Sequence, residues 1–413
     1  MSHRSRAIVS IACFVAGWLW LASLLRRGDD TSTRLRPQWV GKGPVEVLNS
    51  TLGFQKILVI NLPSRTDRRD AMALAGAVTN LTFDWVAGVS GDDVPERVLP
   101  ADSEGKQIST GNKGSWRAHM NALRRVVELN LTSALILEDD ADWDIRLKTQ
   151  LQVVALASRG FLRPAKSGSS RPLAGHSPER EHLGNGNDAT AVSVNDLPAG
   201  RQPSMPPYGD HWDVLWLGHC GTDLPSSDPS GVQQQPALVT IPDDETVPPP
   251  AHLRPHPFAR PDEALRSRFP PHTRVVHRVT PGTACSQAYA VSQRGARRLL
   301  WLFGTETMTT GWDFLLRHWR TKKAKTAEEP SRTRLGVPVP PVCLAVQPPV
   351  FGHHYGKGGG SDITAPGGGY LGSEREMTPY VRLSVRMNLG KLARGDGISQ
   401  LADQWPEPDE TDR

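Results

Sequence analysis

Glu138, Asp139 and Asp140 follow the apolar run Ala134-Leu135-Ile136-Leu137 without a spacer, and Asp142 and Asp144 come directly after them. Adjacent carboxylates repel one another, and removing them from water raises the cost further, so a positive partner is expected nearby. A strand that ends in acids delivers them to the carboxyl edge of a sheet, where open α/β folds bind ligands. Oxygen ligands at such an edge suit Mg²⁺ or Mn²⁺ better than zinc, and the ion would in turn hold a diphosphate. The same residues also read as a solvated loop or a helix cap after a core strand, a description that suits Asp142 and Asp144.

Two further groups could work with that edge. In "NLPSRTDRR", Asn61, Arg65 and Arg68 lie just past an apolar strand, and guanidinium groups beside a helix start form a place for a phosphate or nucleotide, although arginine-rich helix starts are also common on surfaces. His353 and His354 precede "GKGGGSD". They could complete a metal shell while the Gly-rich loop closes over a ligand to exclude water, or they could sit in an ordinary surface turn. That glycine run lacks the strand before it and the helix after it that a phosphate cradle requires.

The elements that must position these side chains are legible in the hydrophobic pattern. "KILVINL" is a continuous apolar run of the kind buried on both faces of a parallel sheet. A helix follows, with Ser64 and Asp67 fitting a capping box, and "FDWVAGV" is a second strand. "NKGSWRAHMNALRRVVELN" places Trp116, Met120, Leu123 and Val127 on one stripe of an amphipathic helix that feeds the acidic strand. Strand, helix, strand, helix, strand is the order of an α/β layered domain. Further strands are expected at "HWDVLWLG", "HTRVVHRV", "SQAYAVS" and "CLAVQ", and helices at "QRGARRLLWLF" and "GWDFLLRHW". Two Pro-, Ser- and Gly-rich insertions, about 161–210 and 224–271, read as disordered.

The chain of 413 residues has 48 Lys and Arg against 43 Asp and Glu, a mild excess that is scattered apart from "RTKKAK", so nucleic acid is not an expected partner. Residues 7–25 are uncharged and long enough to span a bilayer, which predicts a cytosolic tail over 1–6, a signal-anchor transmembrane helix over 7–25 and a stem over 26–54. Acceptor sequons at Asn49, Asn80 and Asn130 favour a body in the secretory lumen, that is, a single-pass type II protein of the Golgi or endoplasmic reticulum. Beyond Cys13, the three cysteines allow one disulfide, taken as Cys220 with Cys285, or three buried thiols.

"ILVINLPSRTDRR", "GNKGSWRAHMNAL", "ALILEDDADWD", "AYAVSQRGARRLL" and "QPPVFGHHYGKGGGSDI" resemble, in that order, glycosyltransferase family 25, and the Pro-rich insertion resembles that of its fungal members. The resemblance implies a GT-A-like single domain over 55–385, with a mostly parallel central sheet flanked by helices and a C-terminal tail over 386–413. It implies inverting, metal-dependent transfer of a hexose, galactose by resemblance, from a UDP-sugar donor to a glycan or glycoprotein acceptor. Under it Glu138, Asp139 and Asp140 are the acidic motif, with Asp140 first in line for Mn²⁺ or Mg²⁺ and Glu138, His353 and His354 as further ligands. Asn61, Arg65 and Arg68, with Glu138 and Asp139, bind the donor. Inversion needs a base for the acceptor hydroxyl. Asp313 in "GWDFLL" is that base by correspondence with similar enzymes, while its position also suits a helix N-cap. One departure stands out: a Gly-x-x-Gly-Cys-x-x-Ser-His pattern is replaced by Gly111, Gly114, Ser115, Ala118 and His119. The alternative function is therefore a non-catalytic luminal carbohydrate-binding or scaffold protein on the same fold.

Overall fold

A computed structural model describes residues 43–103, 107–162, 191–197, 205–225, 238–256, 260–321, 341–357, 362–363 and 376–408. Within the stretch read as a stem, Val47, Leu52 and Phe54 are buried, and Phe54 stacks on Tyr208 with ring centroids 4.5 Å apart. The first half follows the hydrophobic pattern. Strand β1 (Lys56–Asn61), helix α1 (Thr66–Val78), strand β2 (Phe83–Ala87), helix α2 (Thr110–Glu128) and strand β3 (Ser133–Glu138) succeed one another, and β1 pairs in parallel with both β2 and β3. The capping box expected from Ser64 and Asp67 does not form. Arg65 occupies the N-cap of α1 with no side-chain cap, and Asp67 pairs with Arg65 instead.

Beyond β3 come β4 (Ala141–Trp143), α3 (Leu147–Leu162), β5 (Ala191–Ser193), β6 (Val214–Gly218), β7 (Leu238–Ile241), α4 (Glu263–Arg268) and β8 (Arg274–Arg278). They are followed by β9 (Ala288–Ser292), α5 (Gln293–Trp301), α6 (Trp312–Thr321), β10 (Cys343–Gln347), β11 (Phe351–His353) and α7 (Leu389–Arg394). The main strand order is β2-β1-β3-β9-β6-β10-β8-β7-β5, with β11 pairing β4 and β6.

The expected mostly parallel sheet is corrected to a mixed one in a GT-A-like α/β domain. β9 runs antiparallel between β3 and β6, β8 runs antiparallel to β10 and β7, and β4 runs antiparallel to β11. The physical reason is that burial on both faces does not encode direction. In β9, Ala288 and Ala290 face the layer containing Leu151 and Val154 of α3, while Tyr289 and Val291 face the layer containing Trp116, Leu123 and Trp312. A strand covered on both sides reads as an apolar run whichever way it points. Because β9 reverses between them, β1, β3, β6 and β10 all end at one edge, where Asn61, Glu138 and Gly218 gather beside the start of β9.

The insertions contribute to this fold where they are described. β5 pairs with β7, which continues the sheet, and the buried pair Arg274–Asp244 at 2.7 Å ties β8 to the loop after β7. The C-terminal stretch is equally built in: Asp144 and Ser384 form a β-bridge, and α7 packs on α1. The anchor expectation is also corrected. Among the described residues no helix is long and apolar enough to cross a membrane, and residues 7–25 lie outside them. The membrane partner and the type II Golgi or endoplasmic reticulum placement therefore have no support in the fold.

Candidate functional site

Arg68 is the positive partner that the acidic strand end demands. Its Nη1 donates to Asp139 Oδ1 and to Asp140 Oδ2, both at 2.9 Å, from the first turn of α1. Asn61, the last residue of β1, donates through Nδ2 to Asp139 Oδ2 at 2.8 Å and to the Arg65 carbonyl at 3.0 Å, which fixes the turn between strand and helix. From the far end of the chain, Arg386 donates to the carbonyls of Asp139, at 2.5 Å, and Ala141, at 3.3 Å.

These contacts set the charge states. Burial opposes the charged form of Arg68, but Asp140 and Asp139 outweigh it and its pKa is raised. Burial pushes the Asp139 carboxyl up, and Asp140 adds to that push against the pull of Arg68. Burial acts the same way on Asp140, yet His353, Arg68 and Arg386 prevail and hold it below the ordinary carboxylate range. Of the two, Asp140 is the one whose charged form its neighbours favour.

The expected metal set does not assemble, which corrects both the Mn²⁺ or Mg²⁺ cofactor and the metal-dependent mechanism inferred from resemblance. Among the described residues no group of three or more His, Cys, Asp and Glu is placed to hold an ion. Glu138 turns away from the aspartates: its Oε1 accepts from Ser286 Oγ at 2.7 Å and lies 3.5 Å from His119 Nε2. His353 Nε2 stands 3.9 Å from Asp140 Oδ2, while its Nδ1 faces Gln287 Nε2 at 3.5 Å. His354 faces the C-terminal stretch, with Nδ1 3.1 Å from Thr378 Oγ1 and Nε2 3.0 Å from Glu376. The buried Asp140 Oδ1 accepts no hydrogen bond among the described residues, but one oxygen is not a ligand set. The strand ends at Glu138, whose side chain goes to Ser286, and the turn after it carries Asp139 and Asp140 to Arg68, so an acid triplet in sequence is not an acid triplet in space.

His119 is buried within the helical layer, with Nδ1 3.1 Å from Tyr289 Oη and its ring stacked on Trp312 at 4.9 Å. Ala118 beside it is buried among Trp116, Met120 and Leu123, so an apolar contact occupies the place of the family's serine. The glycines of "GNKGSW" serve close approach: a Cβ on Gly114 would lie 2.4 Å from the Val89 carbonyl oxygen.

Asp313, in the first turn of α6, accepts the Cys285 N–H through Oδ2 and the Phe314 N–H through Oδ1, both at 2.9 Å. Cys285 is joined to Cys220 by a disulfide, and Cys343 is a buried free thiol. Asp313 and Glu138 therefore reach the Cys285–Ser286 dipeptide from two sides. Sequence reasoning missed Arg386, Ser286, Gln287 and Asp362. Asp362 lay within the quoted Gly-rich block, whereas Arg386 reaches the site over 247 residues of separation and carries no local signal.

Residues 54–167 match the family described as glycosyltransferase family 25 (LPS biosynthesis protein). The chain is 27% identical over 112 residues to procollagen galactosyltransferase 1 of Danio rerio, covering 24% of this chain and 18% of the relative. It is 29% identical over 114 residues to procollagen galactosyltransferase 1-B of Xenopus laevis, covering 25% and 19%. The matched stretch spans about a fifth of these relatives' length.

Proposed function

We propose, for a chain whose residues 54–167 match glycosyltransferase family 25, that the described domain transfers a hexose from a nucleotide sugar to an acceptor hydroxyl. The carrying observation is the convergence of Asn61, Arg65 and Arg68 with Asp139 and Asp140 at the carboxyl edge shared by β1 and β3. Guanidinium groups in the first turn of α1, whose N-terminus has no side-chain cap, suit a diphosphate. A buried Asp140 carboxyl that accepts from the same arginine fixes how that guanidinium is presented.

The relatives' printed name suggests galactose as the sugar, while UDP as its carrier and a fungal-type member rest on the sequence resemblance. Asp313 is the proposed proton acceptor. It sits beside the disulfide at the same edge, and its hydrogen bonds to two backbone N–H groups orient the carboxylate. The acceptor would lose its proton to Asp313 as its oxygen bonds to the anomeric carbon, while the bond to the β-phosphate breaks and its electron pair leaves with UDP.

The buried Ala118 in place of the family's serine favours a second reading, a carbohydrate-binding protein without turnover. Release of UDP from a panel of UDP-sugars, with calorimetric UDP binding on the same sample, separates the two. Release from one donor supports transfer, binding without release supports the second reading, and absence of binding overturns both.

A further inference from the structure

Arg65 and Arg68 already share an anion. Arg65 Nη1 donates to Asp362 Oδ2 at 2.5 Å, and Arg68 Nη1 lies 3.8 Å from the same oxygen. Asp362 comes from 297 residues downstream, so this is a tertiary contact and not a local helix pair. The backbone beside it is seated firmly: a Cβ on Gly111, in the first turn of α2, would lie 1.9 Å from the Ile363 carbonyl oxygen. Only glycine at 111 lets this segment lie against the helix and carry its carboxylate to the two arginines.

A carboxylate offers the same bidentate oxygen geometry to guanidinium that a phosphate does. We propose that Asp362 is an internal competitor for the anion site of Arg65 and Arg68, so that a nucleoside diphosphate enters by exchanging with this side chain. This rests on the nucleotide-site reading above and adds a residue that tunes it. The pair is one that a ligand can displace: Asp362 is 36% exposed and Arg65 24%, and ion pairs at such exposure are weak. The second partner of Arg65, Asp67, comes from the same helix turn and stays with it, so exchange at Asp362 leaves the guanidinium oriented. The apparent affinity for the diphosphate is then lowered by the fraction of molecules in which Asp362 occupies the site.

The test is calorimetric binding of UDP, with inorganic pyrophosphate as a second probe, to the full chain and its variants. Asp362→Asn, which keeps shape and removes charge, is expected to tighten both probes by about threefold to tenfold. Gly111→Ala, which forces the Ile363 backbone away, is expected to act in the same direction without touching either arginine. Asp362→Glu should stay within about twofold of the parent protein, and Arg65→Met should weaken binding. Affinity in Asp362→Asn equal to or below that of the parent overturns the competitor role while leaving the nucleotide site standing. Failure of UDP to bind any of the proteins removes the nucleotide reading and this inference with it.

Discussion

Two pairs of aspartates, two residues apart on one chain segment, have opposite employment. Asp139 and Asp140 face a guanidinium, retain an acceptor oxygen with no partner among the described residues, and lie where a ligand can reach Arg68. Asp142 and Asp144 are essentially fully buried and bind the C-terminal stretch. Asp142 accepts from Thr378 Oγ1 at 2.6 Å, Ser384 Oγ at 2.5 Å and the Arg386 N–H at 3.1 Å. Asp144 accepts the Leu383 N–H and the Arg146 guanidinium, at 2.9 and 2.8 Å. What distinguishes a site acid from a structural acid here is not its neighbours in sequence but whether its donors satisfy it completely. Arg386 joins the two, since its backbone serves Asp142 and its side chain serves the Asp139 carbonyl.

The sharpest break of this comparison is kinetic. Asp313→Asn is expected to lower kcat by about 10²- to 10⁴-fold with UDP affinity retained, the range for loss of a general base, as read from steady-state turnover beside calorimetry. An unchanged kcat would return Asp313 to a purely capping role. On the structural side, Asp142→Ala should cost roughly 3 kcal/mol or more, because two buried hydroxyls and an N–H lose a charged acceptor. A urea midpoint shift worth under about 0.5 kcal/mol would show that the C-terminal stretch is not held by this residue.

Arg68→Met should weaken UDP binding by about tenfold or more, and it should also make stability depend on pH in a defined direction. With the guanidinium gone, Asp139 and Asp140 are left adjacent and buried, so their folded pKa values rise relative to those in the parent protein. Acids raised in this way cost stability above the unfolded carboxylate pKa, and the cost is relieved as pH falls and both groups protonate. The deficit relative to the parent protein should therefore be larger at pH 7 than at pH 4. A deficit independent of pH would mean that Arg68 acts through packing alone.

The smallest effect is expected at Asp67, which the Arg65 hydrogen bond holds down to about 2. A depressed carboxylate contributes stability that is present above its unfolded pKa of about 4 and lost as pH falls through 2. Asp67 is largely exposed, so Asp67→Asn should lower neutral stability only slightly and flatten the acid limb of a thermal-melt profile between those values.

Much of the first half was readable because its signals are local. The β1 run and the acid-ended β3 bury their apolar residues, and the α2 stripe has Trp116, Met120 and Leu123 inside and Arg124 outside, with Val126 rather than Val127 fully buried at its end. The pairing of Cys220 with Cys285 also stands as expected. The stretches read as unstructured were misjudged in part because composition averages over them: short β5 and β7 hide among prolines, and their order comes from the sheet that receives them. The metal set misled because Glu138 closes the strand while Asp139 and Asp140 stand in the turn after it, so acids neighbouring in sequence meet different partners.

The sequence by itself determined the β-α-β-α-β start, the position of the acids at a strand end and the need for a cation beside them, because periodicity and like-charge repulsion act within a few residues. Only the tertiary structure decided that the cation is Arg68, that Arg386 and Asp362 reach the same edge, and that the sheet is mixed. Those outcomes depend on which distant segments come together. An apolar run or a lone arginine reads the same before and after that choice, so nothing local could record it.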